Sequence, residues 1–241
     1  MLKATGERLT TEGEGKIIVE HLHRYAMAKE YVEDKVVLDI ASGEGYGTNL
    51  ISQSAKFVYG IDISEDTILH AKSKYKNSNI KFIVGSASQI PLENGTVDVI
   101  VSFETIEHLF SPRDFIVSCR NILRQGGLLF LTCPNMHGFD TSLLREKSKS
   151  VGGEHLNMFN PRSLTLLLQG CGFTVLELQT PGMLDAELVR KNLLAGALDV
   201  ATQPFLRRVL IDEWERLGEP FQKFLADNRL SSHMMVVARR A

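Results

Sequence analysis

Residues 36–47 constrain the fold more than any other part of the chain. An apolar run from Val36 to Ile40 leads into a loop with glycines at positions 43, 45 and 47, and a helical pattern follows. This order is typical of the first strand–turn–helix unit of a parallel sheet, where a glycine-rich loop lets the backbone approach a ligand. A second apolar run ends at Asp62. A carboxylate at that strand end can accept hydrogen bonds from both hydroxyls of a ribose.

Strand and helix patterns alternate along most of the chain, which predicts an α/β fold. We expect a seven-stranded, mostly parallel sheet with helices on both faces and an antiparallel last strand. The predicted strands cover residues 35–40, 57–62, 80–84, 97–103, 127–133, 173–179 and 233–239. The predicted helices cover residues 16–31, 46–54, 65–76, 112–123 and 161–170. Residues 136–160 carry no such pattern and are predicted to be a long loop, made locally basic by Arg145, Lys147 and Lys149.

The chain has 241 residues, which fits one domain with an insertion. We divide it into an N-terminal helix or lid (1–34), a core (35–180), a helical insertion (181–230) and a closing strand (231–241). The insertion pattern breaks near Pro204 and near residues 218–220. Its apolar positions leave three roles open: packing on the core, a cover over the substrate, or a homodimer interface.

Composition excludes several classes of protein. A net charge of −2 provides no global field for nucleic acid. No apolar run approaches the roughly 18 residues of a membrane span, and the polar start does not resemble a secretory signal. The odd number of cysteines, three, fits reduced thiols in a cytoplasmic protein. Since no Cys or His spacing resembles a zinc site and no carboxylate cluster points to magnesium, we expect no metal.

The acid before the glycine loop restricts the ligand. Asp39 precedes Gly43 and Gly45, so the loop departs from the glycine fingerprint of dinucleotide-binding proteins. A carboxylate there would repel a pyrophosphate, which disfavours a nicotinamide oxidoreductase. A ligand with positive charge and no phosphate suits this loop better.

Four segments in order resemble class I S-adenosylmethionine (SAM)-dependent methyltransferases, whose fold is Rossmann-like. They are residues 37–47, 59–64, 85–92 and 97–108, and residues 123–135 resemble the fifth strand of that family. The resemblance covers roughly residues 35–180 and the last strand. It implies SAM as cofactor, with its ammonium and sulfonium, and S-adenosylhomocysteine as product.

The resemblance also implies a set of cofactor-binding residues at the ends of the first four strands. They are Asp39, Ala41, Gly43, Gly45, Asp62, Ile63, Ser86, Ala87, Ser102, Phe103 and Glu104. Within this set, Asp39 would reach the ammonium directly or through water, Asp62 would bind the ribose, and Ile63 would pack on adenine. The chain departs from the family where residues 86–88 replace a frequent acid with serine and alanine.

Three residues are candidates for activating an acceptor. Glu107 and His108 follow the fourth strand, and His155 follows the basic loop. A sugar hydroxyl has a pKa far above 7 and needs a general base, for which imidazole is suited. Each histidine could equally be structural, with its ring bonded to nearby backbone.

A narrower resemblance concerns the N-terminus. Residues 6–9, 20–25, 41–47 and 102–108 recur together in methyltransferases of bacterial surface-polysaccharide and O-antigen synthesis. On a helix, His21, Arg24 and Tyr25 share one face, which could present a cation and a phenol to an anionic acceptor. Alternatively, Glu20 and Arg24 form only a surface pair.

We therefore predict a SAM-dependent O-methyltransferase that acts on a sugar, sugar phosphate or glycan. One alternative is methylation of a small metabolite, such as a quinone precursor or a natural-product phenol. The other is a protein that binds SAM without turnover.

Overall fold

The computed structural model describes residues 16–148 and 150–241, with side chains from Leu22 onward. Its centre is a seven-stranded sheet in the order β3-β2-β1-β4-β5-β7-β6. β7 pairs antiparallel with both β5 and β6, and the other pairings are parallel. This confirms the predicted mixed sheet with an antiparallel last strand.

Strands and helices alternate as predicted. The strands are β1 (Val36–Ile40), β2 (Phe57–Asp62), β3 (Ile80–Val84), β4 (Val97–Phe103), β5 (Leu123–Pro134), β6 (Phe173–Gln179) and β7 (His233–Arg240). The helices are α1 (Lys16–Lys29), α2 (Tyr46–Ser52), α3 (Glu65–Lys74), α4 (Pro112–Ile122), α5 (Phe139–Leu144), α6 (Pro161–Gly170), α7 (Asp185–Leu194), α8 (Pro204–Arg207) and α9 (Trp214–Asp227). A 3₁₀ turn, Ile106–His108, follows β4.

Apolar side chains cover both faces of the sheet. On one face, Leu38 and Ile40 of β1 pack in a cluster with α4 and α6. On the other face, Val37 of the same strand packs in a cluster with α1 and α2. Because successive strand residues point to opposite faces, Asp39 lies on the α1 side. This position allows its carboxylate to contact side chains of α1 and α2.

Two predictions about local structure were wrong. Residues 136–160 contain the short helix α5, whose Leu144 packs in the core of the insertion. α9 continues through Pro220, where a break was predicted. Proline removes one helical hydrogen bond, but Leu225 and Phe221 hold the helix against the insertion core, and tertiary packing outweighs the local preference.

Asp185 fastens the insertion to the sheet. Its buried carboxylate accepts hydrogen bonds from Ser231 and Ser232, just before β7, and from the Gln222 side chain of α9. The segment 181–230 is therefore tied to the same edge of the sheet where β7 begins. Among the described residues, none of the helices combines the length and the apolar character that crossing a membrane requires.

Candidate functional site

The glycine loop connects β1 to α2 at the carboxyl edge of the sheet. Ala41 has a φ of 61° and Gly43 a φ of 53°, so the chain turns through left-handed backbone directly after β1. The Gly43 N–H donates to Asp62 Oδ2 at 2.9 Å, which joins the loop to the end of β2. A Cβ at Gly43 would meet no atom within 4 Å, so this side of the loop has room for a ligand.

Asp62 is held in a fixed orientation at the end of β2. Oδ1 accepts the Ser64 N–H at 2.9 Å, while Oδ2 accepts the Gly43 N–H at the same distance. Each carboxylate oxygen can accept a further hydrogen bond, so a ribose diol fits this acid. Ile63 beside it is 74% exposed, as expected of an apolar side chain that covers an adenine ring when the cofactor is bound.

The loop after β3 lies against this strand end. Gly85 donates its N–H to the Asp62 carbonyl at 2.9 Å. The Ser86 hydroxyl accepts the Ser88 N–H at 3.1 Å, and Ala87 is half-buried. The loop thus lies beside Asp62 without the acid that the family often has there.

Helix α1 binds a buried acid on the neighbouring strand through Tyr25. The Tyr25 hydroxyl donates to Asp39 Oδ1 at 3.2 Å, and the Thr48 hydroxyl donates to Oδ2 at 2.6 Å. Burial raises the pKa of Asp39 to about 7; these hydrogen bonds partly oppose the rise, and the charge of Asp62 adds to it. Tyr25 is only 5% exposed, so the phenol that the sequence assigned to an acceptor is used inside the protein. Asp39, 1% exposed, likewise lies behind the loop rather than on its surface.

Helix α1 binds a second acid through the preceding residue, Arg24. Glu104 follows β4 with a φ of 49°, a strained conformation typical of functional sites. Arg24 Nη1 lies 3.5 Å from Oε1, His233 Nε2 lies 3.4 Å from Oε2, and the Thr132 hydroxyl donates to Oε1 at 2.9 Å. Burial by itself would raise the pKa of Glu104, but Arg24, His233 and Thr132 outweigh it and hold the pKa well below its usual range.

Other predicted residues at this edge have different environments. Phe103 packs edge-on against the Tyr25 ring with centroids 4.7 Å apart. Ser102 is fully buried, so neither its side chain nor its backbone is exposed at this edge. The side chain of His21 and all of Lys149 lie outside the described residues.

The three candidate activating residues come together although they are distant in sequence. The ligand atoms of Glu107, His108 and His155 lie within 4.8 Å of one another, a grouping that the spacing of these residues in the sequence did not indicate. His108 Nε2 lies 3.9 Å from Glu107 Oε1, and the two imidazole rings meet edge-on with centroids 4.8 Å apart. Glu107 is buried, and both histidines are half-buried.

A cavity of about 1590 Å³ adjoins the Glu104 edge. Arg24 and His233, the two side chains that lie beside the Glu104 carboxylate, are part of its lining. Most of the remaining wall comes from residues 178–187 and from α9, including Trp214 and Lys223. The insertion therefore lines a space that opens next to the end of β4.

Sequence reasoning missed His233, Thr48 and Thr132. His233 begins β7 and pairs with Pro134 at the end of β5. Because an antiparallel closing strand starts at the carboxyl edge of the parallel strands, its first polar residue could have been predicted to face the site. No comparable signal in the sequence distinguished the two threonines.

Sequence comparison finds similarity between part of this chain and known methyltransferases. A family model described as "Methyltransferase domain" matches residues 38–131. The chain is 34% identical, over 58% of its length and 52% of the relative, to a probable S-adenosylmethionine-dependent methyltransferase of Mycolicibacterium smegmatis. It is also 29% identical, over 72% of its length and 66% of the relative, to the ubiquinone biosynthesis O-methyltransferase of Parvibaculum lavamentivorans. The chain thus spans about half to two thirds of the length of these relatives.

A solved structure supports the same class of fold. An S-adenosylmethionine-dependent methyltransferase from Mesorhizobium loti superposes with a TM-score of 0.61 at 14% identity, covering 90% of this chain and 98% of that one. The chain has the Rossmann-like fold of class I methyltransferases, and residues 38–131 match the methyltransferase-domain model. The matches support a SAM-dependent methyltransferase with S-adenosylmethionine as its cofactor.

Proposed function

We propose that the protein is a SAM-dependent O-methyltransferase whose acceptor is a hydroxyl group of a sugar, sugar phosphate or glycan. The observation that carries this proposal is the cluster of Glu107, His108 and His155 directly after β4. In doubly wound folds, ligands bind at the carboxyl ends of the strands, so this cluster lies at the edge where an acceptor would meet the cofactor. A group that can take up or displace a proton is needed there only if the acceptor is not already ionised.

The cofactor would be held by the glycine loop and the ends of β2 and β3. Asp62 would bind the ribose, Ile63 would cover the adenine, and Gly43 would leave room for the methionine part. Asp39 would act from behind the loop, where its negative charge favours the cofactor's ammonium. SAM supplies a methyl group on a positively charged sulfur.

The protein's own contribution is alignment and proton removal. The acceptor oxygen forms a bond to the methyl carbon as the carbon–sulfur bond breaks, and that electron pair returns to sulfur. The hydroxyl proton must leave at the same stage. His108 Nδ1 donates to the Glu154 carbonyl at 3.0 Å, so the neutral ring carries its lone pair on Nε2 and can accept the proton there.

The cavity beside Glu104 supports an acceptor larger than a simple phenol. Its volume of about 1590 Å³ exceeds the roughly 300–1,000 Å³ of ordinary small-molecule pockets. Its lining combines an aromatic ring, Trp214, with several hydrogen-bonding groups, including Arg24, Lys223 and His233. A sugar presents the same combination of apolar ring faces and hydroxyls. The insertion would then act as a cover over the acceptor.

The test is methyl transfer from labelled SAM to a matched panel of sugars, sugar phosphates, nucleotide-linked sugars and phenols. We expect label on the sugar-containing acceptors. His108→Ala should lower turnover by about 10²-fold or more, as expected for a lost general base, with SAM affinity unchanged. His70→Ala, on α3 and outside the cluster, is the control. Normal turnover of His108→Ala would remove the residue as the base.

Arg24 allows the charge of the acceptor to be tested separately. Arg24→Ala should raise the Michaelis constant for a sugar phosphate but not for the same sugar without phosphate, because only the former needs a cation. An equal rise for both would assign Arg24 to holding Glu104, with which it already forms an ion pair.

A second candidate is O-methylation of a small phenol or quinone precursor. It is favoured by three exposed apolar side chains that follow the two histidines in sequence: Phe110, Leu156 and Met158, which are 96%, 49% and 54% exposed. The similarity to a ubiquinone biosynthesis O-methyltransferase agrees with it. Label on phenols alone would establish this alternative. SAM binding without any labelled product would favour a binding protein without turnover.

The proposal also covers the cellular location of the protein and its oligomeric state. We place the reaction in the cytoplasm, where reduced cysteines are expected; Cys119, Cys133 and Cys171 are all buried free thiols. The insertion serves the acceptor in this proposal. A homodimer remains a prediction from the sequence, to be checked by light scattering.

A further inference from the structure

Glu107, His108 and His155 have the composition of a metal site. They offer one carboxylate and two imidazoles, and their ligand atoms lie within 4.8 Å of one another. Glu107 is 1% exposed and follows β4 within the 3₁₀ turn, whereas His155 comes from the loop before α6. A buried carboxylate opposite two imidazoles is a ligand set that proteins use for divalent transition metals.

The hydrogen bonds of the two histidines are a second, independent observation. His108 Nδ1 lies 3.0 Å from the Glu154 carbonyl oxygen, and His155 Nδ1 lies 2.8 Å from the Ser150 carbonyl oxygen. A carbonyl only accepts hydrogen bonds, so both Nδ1 atoms must carry the proton. In the neutral rings the lone pair is then on Nε2. Metal-binding histidines are commonly oriented by this kind of bond from the second ring nitrogen to a backbone carbonyl.

We propose that the cluster binds one divalent transition-metal ion through a Glu107 carboxylate oxygen and Nε2 of His108 and His155. Imidazole ligands favour zinc, iron or nickel over magnesium and calcium. Bonds of about 2.0–2.2 Å would bring the ligand atoms to roughly 3.4 Å apart, so the side chains must close by about 1.4 Å. Three protein ligands leave an open position, as in catalytic zinc sites.

The open position gives the site a role in the proposed O-methylation, on which this part of the inference rests. A hydroxyl bound to the ion would have a lowered pKa and would release its proton to water before or during its attack on the methyl carbon. His108 would then be a ligand rather than the base. The ion would replace a general base that must work against the high pKa of a sugar hydroxyl.

Calorimetric titration of the untagged, chelator-treated protein with Zn²⁺ tests the site directly. We expect one ion per chain. His155→Asn is the sharpest variant: its amide nitrogen occupies the position of Nδ1 and keeps the bond to the Ser150 carbonyl, but the ligand atom is lost. His108→Asn does the same with the Glu154 carbonyl. Each should weaken Zn²⁺ binding at least tenfold, whereas His70→Asn should leave it unchanged.

Two further measurements distinguish the metal site from the proposed methylation reaction. Cobalt(II) should give visible absorption bands with the wild type that the His155→Asn variant loses, and unchanged SAM affinity should show that the variant is folded. Zn²⁺ affinity equal in wild type and both asparagine variants, or no binding by the wild type, would overturn the site. Full methylation after chelation would reject the metal and leave the O-methyltransferase intact. Metal binding without methylation of any hydroxyl would keep the site and reject the proposed reaction.

Discussion

The proposed cofactor side and the proposed acceptor side of this site differ in how each holds a buried acid. On the proposed cofactor side, Asp39 is a buried acid that accepts hydrogen bonds from the Tyr25 and Thr48 hydroxyls, and burial raises its pKa to about 7. On the acceptor side, Glu104 is a largely buried acid flanked by Arg24 and His233, and its pKa is held well below the usual range. β1 and β4 are neighbours in the sheet. The pKa values of two acids on adjacent strands are therefore shifted in opposite directions.

Consecutive residues of one helix make this difference. Tyr25 of α1 donates to Asp39, and Arg24 of the same helix pairs with Glu104. A phenol can stabilise a carboxylate by a hydrogen bond without supplying charge, whereas a guanidinium supplies both. α1 therefore fixes both halves of the site at once, and changes that move it should affect both.

The largest expected effect comes from Gly47, which lets α1 approach α2. A Cβ at Gly47 would lie 1.9 Å from Tyr25 Cζ, so the Tyr25 ring must move. We expect Gly47→Ala to lower the free energy of unfolding by about 3 kcal/mol, as overpacking in a core does, and to weaken SAM binding as well. Urea denaturation and calorimetry measure the two effects.

Gly43→Ala is the matched control for the effect on unfolding alone, because Gly43 itself lies in the proposed cofactor loop. Its Cβ would meet no atom within 4 Å, so only the left-handed backbone opposes it, at a cost of about 1–2 kcal/mol. Combining Gly47→Ala with Tyr25→Ala should cost less than the sum of the single changes, because the clash disappears. Strict additivity would mean that α1 is not held through this contact.

Asp62→Ala tests the cofactor side alone and should have the next largest effect. Losing a charged acceptor of two hydroxyls should cost about 1–3 kcal/mol of SAM binding, or roughly 5- to 160-fold in the dissociation constant. Acceptor affinity at saturating SAM should not change. If calorimetry gives the same SAM dissociation constant for the variant and the wild type, Asp62 does not bind the cofactor. The proposed difference between the two sides would then lose its cofactor half.

Glu104→Gln tests the acceptor side. The variant keeps the shape and an acceptor for Thr132 but leaves Arg24 without its carboxylate, which should cost about 1–2 kcal/mol of stability at pH 7. The stabilisation that Glu104 provides depends on pH, because folding lowers the pKa of this carboxyl. The contribution of Glu104 is fully present above the unfolded-state value of about 4.3 and is lost as the pH falls toward the folded-state value. The stability difference between wild type and variant, followed by denaturation, should therefore shrink between about pH 4.5 and 2.5.

Asp39→Asn should produce the smallest effect, one visible only in pH dependence. Below pH 7 the buried carboxyl binds a proton, and the cofactor's ammonium favours the ionised form, so wild-type SAM affinity should rise toward pH 7. A pKa of about 7 predicts at most about a fivefold increase between pH 6 and 7. Asp39→Asn should flatten this rise in calorimetric titrations. The same slope in both proteins would show that Asp39 is not electrostatically coupled to the ligand.

The difference between the two sides also explains which site residues could be predicted from the sequence. The proposed cofactor side consists of short, contiguous motifs, so the sequence could predict a role for its glycines and for Asp62, and that role stays a prediction. The acceptor side joins α1, the turn after β4, the loop with His155 and the start of β7. His108 and His155 are 47 positions apart (155 − 108), so no spacing rule revealed that their rings meet.

The sequence by itself determined the alternating strands and helices, the mixed sheet and the glycine loop that joins β1 to α2, because local periodicity and turn chemistry act over a few residues. Only the tertiary structure decided that Tyr25 and Arg24 bind buried acids, that α9 continues through Pro220, and that Glu107 meets two histidines. These features depend on which surfaces pack together and on how burial and neighbouring charges shift each group. The sequence contains that information only through the complete fold.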